Sequence, residues 1–276
     1  MRIMTGHSYV YDIRTSEYAR CTLVNFTGVD LFIWEKYIQF REHYGYDEEL
    51  VADVIAKHGK MPARYEEWLF TYFHVTTSAN KCKSFMTHGI LDLKNAYSCP
   101  DSELREFLNG KGILIDIDNC LLKYRDYEYS ITYGSTPPRF DSKAYACWSI
   151  GRRFYYDFTI CGFLSVWEES AYGGNVHYRP EILDDIDNLL NLSLAQEWHL
   201  SHEAYEIVAM IPGSDIVCDS DDDQSEKDKI LNYLTKAYNT AFGSPVEEVL
   251  LLKNNVQVLP QRIVEITPLR CWKSSL

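Results

Sequence analysis

Apolar residues recur at helical spacing in several stretches of the chain, and each such stretch predicts an amphipathic helix. Residues 29–43 carry Leu31, Trp34 and Ile38 near this spacing. Residues 47–58 place an apolar face between Asp47, which we expect to cap the helix, and a glycine just past its end. The same pattern predicts further helices over residues 101–108, 145–156, 181–194 and 226–242.

Apolar residues that alternate with polar ones, or that run without a break, predict β-strands. Residues 1–25 are predicted to be extended, because Tyr9, Tyr11 and Ile13 alternate with polar neighbours. Residues 67–76 are apolar on both faces, which is typical of a strand covered on both sides. Further strands are predicted over residues 113–117, 127–131, 158–166, 205–211, 246–252 and 262–266. Helices come first and strands with inserted helices follow, so we predict an α+β fold.

The dipeptide Met61-Pro62 interrupts the chain and separates two predicted regions. We predict a mostly helical N-terminal extension over residues 1–62, packed on a main domain over residues 63–276. No stretch reaches the roughly 18 apolar residues that are needed to cross a bilayer. The N-terminus lacks the long apolar segment of a secretory signal. The sequence therefore predicts a cytoplasmic protein without a membrane partner.

Charge and composition narrow the chemistry. The formal net charge is -13, which opposes loose binding to nucleic acid but permits a local basic groove. The eight cysteines form no CxxC pair, so we expect free thiols rather than a zinc site. Glycine-rich phosphate-binding motifs are absent from the sequence. We interpret the acidic pair Asp116 and Asp118 and the acidic run 219–223 as solvated, and we expect no metal.

The first candidate for chemistry is His74, which follows an aromatic run over residues 68–73. A helix capped by Thr77 or Ser78 is expected next, and it ends in a turn at Gly89. An imidazole at such a strand end can be presented to a cleft. An isolated histidine at the edge of a core more often bonds a backbone carbonyl, and that alternative stays open.

The second candidate is an aromatic loop that contains two glycines and follows an apolar strand. Trp167 and Tyr172 can offer their faces to a flat, partly cationic ring. Arg179, just before a predicted helix, can meet a phosphate or a carboxylate. A glycine turn with core aromatic residues explains the same pattern equally well.

The third candidate is Glu206, which lies within the apolar strand predicted over residues 205–211. An ionised side chain is costly there unless it has a partner, and function is a frequent reason to keep one. Alternate residues of a strand point to opposite sides, so Glu203 and Glu206 cannot both enter one cleft. Glu203 and Glu197 remain alternatives to Glu206.

These three elements, in this order, resemble the ADP-ribosyltransferase-fold family in its His-Tyr-Glu-like form, which occurs in bacterial toxins and defence proteins. The resemblance covers residues 66–215 and implies a split, mixed or antiparallel β core with flanking helices. It also implies NAD as the substrate. In that family the histidine, here His74, binds a ribose hydroxyl. The backbone of the next residue, Val75, would hold the nicotinamide amide, and Thr76 takes the usual Ser/Thr position.

The resemblance also implies roles for the other candidates. Tyr172, together with Trp167, would stack on the nicotinamide, and Arg179 would contact the cofactor. Glu206 would be the catalytic residue, since the family's glutamate begins a strand of the form Glu-Ile-Val. The sequence departs from the family at Val75, where glycine is usual, and at Ala204, where Glu or Gln is usual.

The function implied is an NAD-dependent ADP-ribosyltransferase that modifies a protein or a nucleic acid, as a bacterial toxin or anti-phage effector. An antitoxin protein is an expected partner of such an effector. Two alternatives remain, a non-catalytic interaction module with the same fold and an enzyme like an RNA 2′-phosphotransferase. The departures at Val75 and Ala204 favour the module, and the low Lys and Arg count of 27 opposes the phosphotransferase.

Overall fold

The computed structural model describes residues 9–134, 136–167, 170–217 and 225–269. Over these ranges the chain combines helices with mainly antiparallel strands, so the predicted α+β class is confirmed. The helices are α1 (Ser16–Thr27), α2 (Leu31–Ile38), α3 (Asp47–His58), α4 (Lys83–His88), α5 (Leu93–Ser98), α6 (Glu103–Gly110), α7 (Lys143–Tyr155), α8 (Tyr172–Asn175), α9 (Ile182–Leu190), α10 (Leu194–Ser201) and α11 (Glu226–Phe242). The strands are β1 (Val10–Tyr11), β2 (Leu69–Ser78), β3 (Ile113–Asp116), β4 (Leu121–Tyr124), β5 (Tyr127–Ser130), β6 (Cys161–Ser165), β7 (Glu203–Pro212), β8 (Ile216–Val217), β9 (Glu248–Leu252) and β10 (Ile263–Pro268).

Residue contacts divide the chain into two compact units, each built from segments that are separate in sequence. Unit 1 comprises Met1–Phe73, Cys161–Ser170 and Val208–Leu252, and unit 2 comprises His74–Ile160, Ala171–Ile207 and Lys253–Leu276. The first division falls inside β2, between Phe73 and His74, rather than near residue 62.

Helix α1 contradicts the extended conformation that the sequence predicted for residues 1–25. Thr15 accepts a hydrogen bond from the backbone amide of Tyr18 and so caps the helix. Leu23 and Phe26 are fully buried on one face of it. Among the residues that the structure describes before this cap, only β1 forms a strand, so a capping threonine and helical apolar spacing outweigh a short alternation.

The core of unit 1 is aromatic. The ring of Tyr11 lies 5.0 Å from that of Phe70 and 5.6 Å from that of Tyr233. The Tyr11 hydroxyl donates to the Tyr233 carbonyl oxygen at 2.8 Å, so its polar end is satisfied inside the core. Helix α11 carries Tyr233 and packs against α1 and α3, and its bounds confirm the predicted helix over residues 226–242.

The larger sheet has the strand order β10-β7-β2-β6-β9-β8, with β1 paired in parallel to β2. In unit 1, β6 is antiparallel to β2, with Phe163 opposite Phe73, and antiparallel to β9. Gly162 is required here, because a Cβ at this position would lie 2.1 Å from the ring of Tyr72. The phenol of one strand therefore packs directly over the backbone of the next.

Unit 2 has its own antiparallel sheet of three strands, in the order β3-β4-β5. Ile113 lies opposite Tyr124, and Leu121 lies opposite Ser130. The sequence predicted β3 and β5 but not β4, which has four residues and no clear alternation. Helices α7 and α9 pack against each other in a core that also receives side chains from α6, α10 and the small sheet.

Helix α10 was also not predicted. The helix predicted over residues 181–194 ends at Leu190, because Asn191 adopts a left-handed conformation with φ of 55°. The carboxylate of Asp187 then accepts hydrogen bonds from the amides of Leu194 and Ala195, which start α10. Among the helices described in these ranges, none combines the length and apolar composition needed to cross a membrane.

Candidate functional site

The end of β2 presents two polar side chains on one side of the strand. His74 and Thr76 are half-buried, whereas Val75 between them is only 2% exposed. Alternation along the strand therefore turns the valine side chain into the protein. The ring of His74 lies 6.3 Å from the ring of Phe85 on α4. The valine at the family's glycine position thus directs its side chain away from the side that carries His74.

A tight turn follows the strand and fixes its end. The Ser78 hydroxyl accepts a hydrogen bond from the Cys82 amide at 2.8 Å and lies 2.7 Å from Glu103 Oε1. Glu103 Oε2 accepts a hydrogen bond from the Ala79 amide at 2.6 Å. Lys81 and Cys82 adopt left-handed conformations, with φ of 62° and 58°.

This turn corrects the predicted start of the following helix. Strand β2 continues to Ser78, and α4 begins only at Lys83. The Ser78 hydroxyl caps the turn rather than a helix, because its partner amide belongs to a residue that is still outside the helix.

Helix α10 contacts the same end of β2 through Thr77. The indole Nε1 of Trp198 donates to Thr77 Oγ1 at 2.8 Å, and both residues are buried. Trp198 stacks on His202 with ring centroids 3.5 Å apart and an interplanar angle of 9°. His202 Nε2 lies 3.7 Å from Glu103 Oε2. Burial lowers the pKa of His202, although its hydrogen bond to the Trp198 carbonyl oxygen and then the charge of Glu103 act in the opposite direction.

Two contacts in unit 1 show how β2 and β7 are aligned. The Gly213 amide donates to the Trp68 carbonyl oxygen at 2.9 Å, and Thr71 Oγ1 donates to Met210 Sδ at 3.6 Å. From the first pair to the second, the residue number rises from 68 to 71 on β2 and falls from 213 to 210 on β7, so the two strands are antiparallel. Thr71 and Met210, which contact each other, share a face of the sheet. We infer the faces of the residues further along both strands by extending this alignment without a bulge, because alternate residues of a strand point to opposite faces.

We call the two faces of these strands in unit 2 the His74 face and the Glu206 face. The His74 face carries His74 and Thr76 of β2 together with Glu203 and Tyr205 of β7. The Glu206 face carries Val75 and Thr77 of β2 together with Ala204 and Glu206 of β7. The extended alignment therefore places His74 and Glu206 on opposite sides of the sheet.

The three candidate glutamates lie in different surroundings. Glu206 is half-buried in the middle of β7. Glu203 is exposed, is the first residue of β7 and accepts a hydrogen bond from the Tyr205 hydroxyl at 3.2 Å. Burial and, next, this hydrogen bond raise the pKa of Tyr205. Glu197 forms an ion pair with Lys111 on the surface of unit 2.

The aromatic loop has a strained start and a series of rings. Tyr172 has a φ of 48°, and Gly173 has a φ of 69°. The ring of Tyr172 lies 5.2 Å from that of His177, which lies 4.5 Å from Tyr178. Tyr178 in turn lies 4.4 Å from His199 on α10. Burial lowers the pKa of His177, and its electrostatic interactions with Arg179 and then His199 lower it further, so the neutral form of the His177 imidazole is favoured.

Arg179 braces this loop from within. Its guanidinium pairs with both carboxylate oxygens of Asp184, with Nε at 3.0 Å from Oδ1. The same group donates to the carbonyl oxygens of Gly174 and Asn175. These contacts make Arg179 a positioning residue for the loop, and its contact with a cofactor stays a prediction.

Trp167 belongs to unit 1 and is 46% exposed. Its carbonyl oxygen accepts a hydrogen bond from the Ser170 amide at 3.1 Å. Stacking of Trp167 on the nicotinamide ring, together with Tyr172, stays a prediction.

The weaker candidates have local roles. Asp116 accepts hydrogen bonds from the backbone and side-chain nitrogens of Asn119, which lower the pKa of Asp116 and stabilise the turn after β3. The acidic run 219–223 lies outside the described residues. Within the described ranges, no cluster of three or more His, Cys, Asp or Glu side chains is arranged to hold a metal ion. The six cysteines in these ranges are free thiols.

Comparison with known proteins adds no relative to this geometry. No protein-family model, no curated protein and no solved structure matches the chain.

Proposed function

We propose that this protein is an NAD-dependent ADP-ribosyltransferase that modifies a macromolecular acceptor, a protein or a nucleic acid. The observation that carries the proposal is the end of β2. Its imidazole and hydroxyl, from His74 and Thr76, are half-buried on one face, while Val75 is turned inward and offers only its backbone. This arrangement fits the roles that the family resemblance implies for the three residues.

In the proposed reaction the bond between the ribose C1′ and the nicotinamide nitrogen breaks, and its electron pair leaves with nicotinamide. A nucleophile of the acceptor forms the new bond to C1′ and loses its proton. His74 would bind a ribose hydroxyl, and Tyr172 would stack on the nicotinamide ring. A fixed carboxylate would stabilise the positive charge that develops on the ribose.

The extended alignment of β2 and β7 bears on which glutamate would supply that carboxylate. Glu206 is the residue that the sequence favours, although the extended alignment puts it on the face opposite His74. In that alignment Glu203 shares the His74 face, and it is the first residue of β7, where the resemblance places the catalytic glutamate, although the Ile-Val that the family has next follows Glu206 instead. The Tyr205 hydroxyl also holds the Glu203 carboxylate in place. The proposal therefore favours Glu203 and retains Glu206 as its direct competitor.

The test uses NAD labelled in the adenylate phosphate, incubated with the purified protein and a bacterial lysate. We expect label in protein or nucleic acid, and we expect Glu203→Gln to reduce labelling about 100-fold or more, since a preorganised electrostatic contact contributes on that scale. Glu206→Gln is the matched control on the same strand, and Glu197→Gln is a surface control. Loss of label in Glu206→Gln alone would return the catalytic role to Glu206. No label and no NAD binding would refute the enzyme.

One observation favours a second function, a non-catalytic interaction module with the same fold. In the extended alignment His74 and the half-buried Glu206 lie on opposite faces, so the pair that the family uses in one cleft would be separated here if Glu203 has no role. A module of this kind binds a partner without consuming NAD. Release of free nicotinamide, measured by chromatography after incubation with NAD, distinguishes the two functions.

A further inference from the structure

A cavity lies in unit 1, between α2 and α3. We call it the α2–α3 cavity, and its walls combine aromatic rings with basic side chains. It is lined by Phe32, Ile33, Lys36, Tyr37, Phe40, His43, Tyr44, Lys57 and His58. No carboxylate is among these lining residues, although the whole chain has a formal net charge of -13.

The sequence of α2 explains how one short helix serves both a core and this cavity. Trp34 is fully buried on the inner side, where its ring lies 5.9 Å from that of Tyr238. Phe32 and Lys36, four residues apart, share the outer side and line the cavity. Phe32 is 70% exposed, which is costly for a phenylalanine that has no partner to cover it.

The rings of the cavity form a continuous wall. Tyr37 lies 6.3 Å from Phe40 and 5.6 Å from His58, measured between ring centroids. Phe40 lies 6.0 Å from His43 and is 44% exposed. The Tyr37 hydroxyl lies 3.1 Å from His58 Nε2, which holds two of these rings in place. A flat ring can stack on the exposed part of such a wall.

The positive charges of the cavity are only partly compensated. Lys57 pairs with Asp53 at 2.7 Å, and Asp53 also accepts a hydrogen bond from the Tyr44 hydroxyl. Lys36 and His43 form no ion pair with any residue in the described ranges. Lys36 is therefore the group in the cavity best suited to bind an anion.

We propose that the α2–α3 cavity binds a nucleotide, with its base stacked on Phe32 or Phe40 and its phosphate beside Lys36. The aromatic rings favour a ligand with a flat base, so inorganic phosphate alone should bind weakly. Lys36 favours a negatively charged ligand, so an uncharged aromatic compound should also bind weakly. The same chemistry is offered by a free nucleotide and by one nucleotide of a single strand. This inference does not rest on the proposed transferase activity, because none of its residues belongs to that site.

The experiment measures binding to the full chain by fluorescence anisotropy, with a short fluorescein-labelled oligoadenylate as the probe and unlabelled AMP as the competitor. We expect binding that weakens as salt is raised, because a phosphate contact releases counterions. We expect Phe40→Ala to weaken it about fivefold or more, the scale of one lost stacking contact. Lys36→Glu should weaken it further. Displacement by AMP at low concentration identifies a free nucleotide as the ligand, and displacement only by other oligonucleotides identifies a single strand.

Three controls keep the test specific. Lys227→Glu changes an exposed lysine on α11 of the same unit, and it should leave binding unchanged. His74→Ala should also leave binding unchanged, which separates the cavity from the proposed NAD site. Ribose 5-phosphate, which lacks a base, should not displace the probe. The proposal is overturned if neither AMP nor the oligonucleotide binds, if Lys36→Glu binds as tightly as the original chain, or if anionic phospholipid vesicles displace the probe as well as an unlabelled oligonucleotide does.

Discussion

The hydrogen bond between Thr77 and Trp198 joins α10 to the strand end that carries His74, and Thr77→Val tests its contribution. Valine has nearly the shape of threonine and keeps the preference for a strand. The substitution therefore removes the acceptor of a 2.8 Å hydrogen bond with little change in packing. Thr77 is 6% exposed and Trp198 is 2% exposed, so water cannot easily replace the lost acceptor.

The magnitude follows from this burial. A buried donor left without a partner costs about 1–3 kcal/mol, and we expect Thr77→Val to lie in that range. For a chain of this size, each kcal/mol lowers the Tm by about 2–4 °C. Trp198→Phe removes the donor and also some apolar area, so it should cost more by itself. The double variant should cost less than the sum of the two single variants, because the unpaired indole is then absent.

The assay is urea unfolding of the original chain, the two single variants and the double variant, followed by circular dichroism. Thr87→Val, at an exposed position on α4, controls for the exchange of threonine for valine. Additive effects of Thr77→Val and Trp198→Phe would refute the hydrogen bond as a source of stability. If Thr77→Val unfolds at the same urea concentration as the original chain, the hydrogen bond between Thr77 and Trp198 is not shielded from water in the way the structure describes.

Three further predictions concern unit 2. Gly151→Ala should destabilise the protein by about 1–3 kcal/mol, because the new Cβ would lie 2.1 Å from the Ile131 carbonyl oxygen. Gly110→Ala is the control, because a Cβ there has no atom within 4 Å and should not destabilise the protein. Thermal unfolding of the two variants compares these effects. The pKa of His202 is lowered by burial, so the unfolded state takes up the proton first as pH falls. The free energy of unfolding should therefore decrease below about pH 6.5. His202→Gln should show a smaller fall in Tm between about pH 7.5 and pH 5.5, and an equal fall would contradict the role of His202. Arg179→Lys keeps the charge but loses the planar fork, so limited proteolysis should cleave its loop faster than in the original chain, and an unchanged rate would contradict its role as a brace.

Elements with long and regular patterns could be predicted from the sequence. The helix over residues 226–242 has the predicted bounds, because its apolar face repeats over several turns and Ser225 caps it. Elements that depend on one local contact could not. Helix α10 starts where Asp187 accepts two backbone amides, and nothing in the periodicity of the sequence marks that carboxylate as a helix start.

The candidate site shows the same division. The positions of His74 and Thr76 at a strand end follow from the aromatic run before them. Their relation to Glu203 and Glu206 depends on the register of β2 against β7, and a shift of one residue exchanges the two faces. The α2–α3 cavity was missed, although Phe32, Lys36 and Phe40 recur every four residues in the sequence. That spacing is a signal that sequence reading can use.

Cys82 makes the turn beside His74 directly observable in solution. Burial raises the pKa of its thiol to about 12, so almost none of it is the reactive thiolate at neutral pH. Iodoacetamide can modify it only in molecules whose turn has opened and admitted water. The modification rate of Cys82, compared with that of the exposed Cys21, therefore measures how often the turn opens. A ligand that stabilises the end of β2 should lower the modification rate of Cys82.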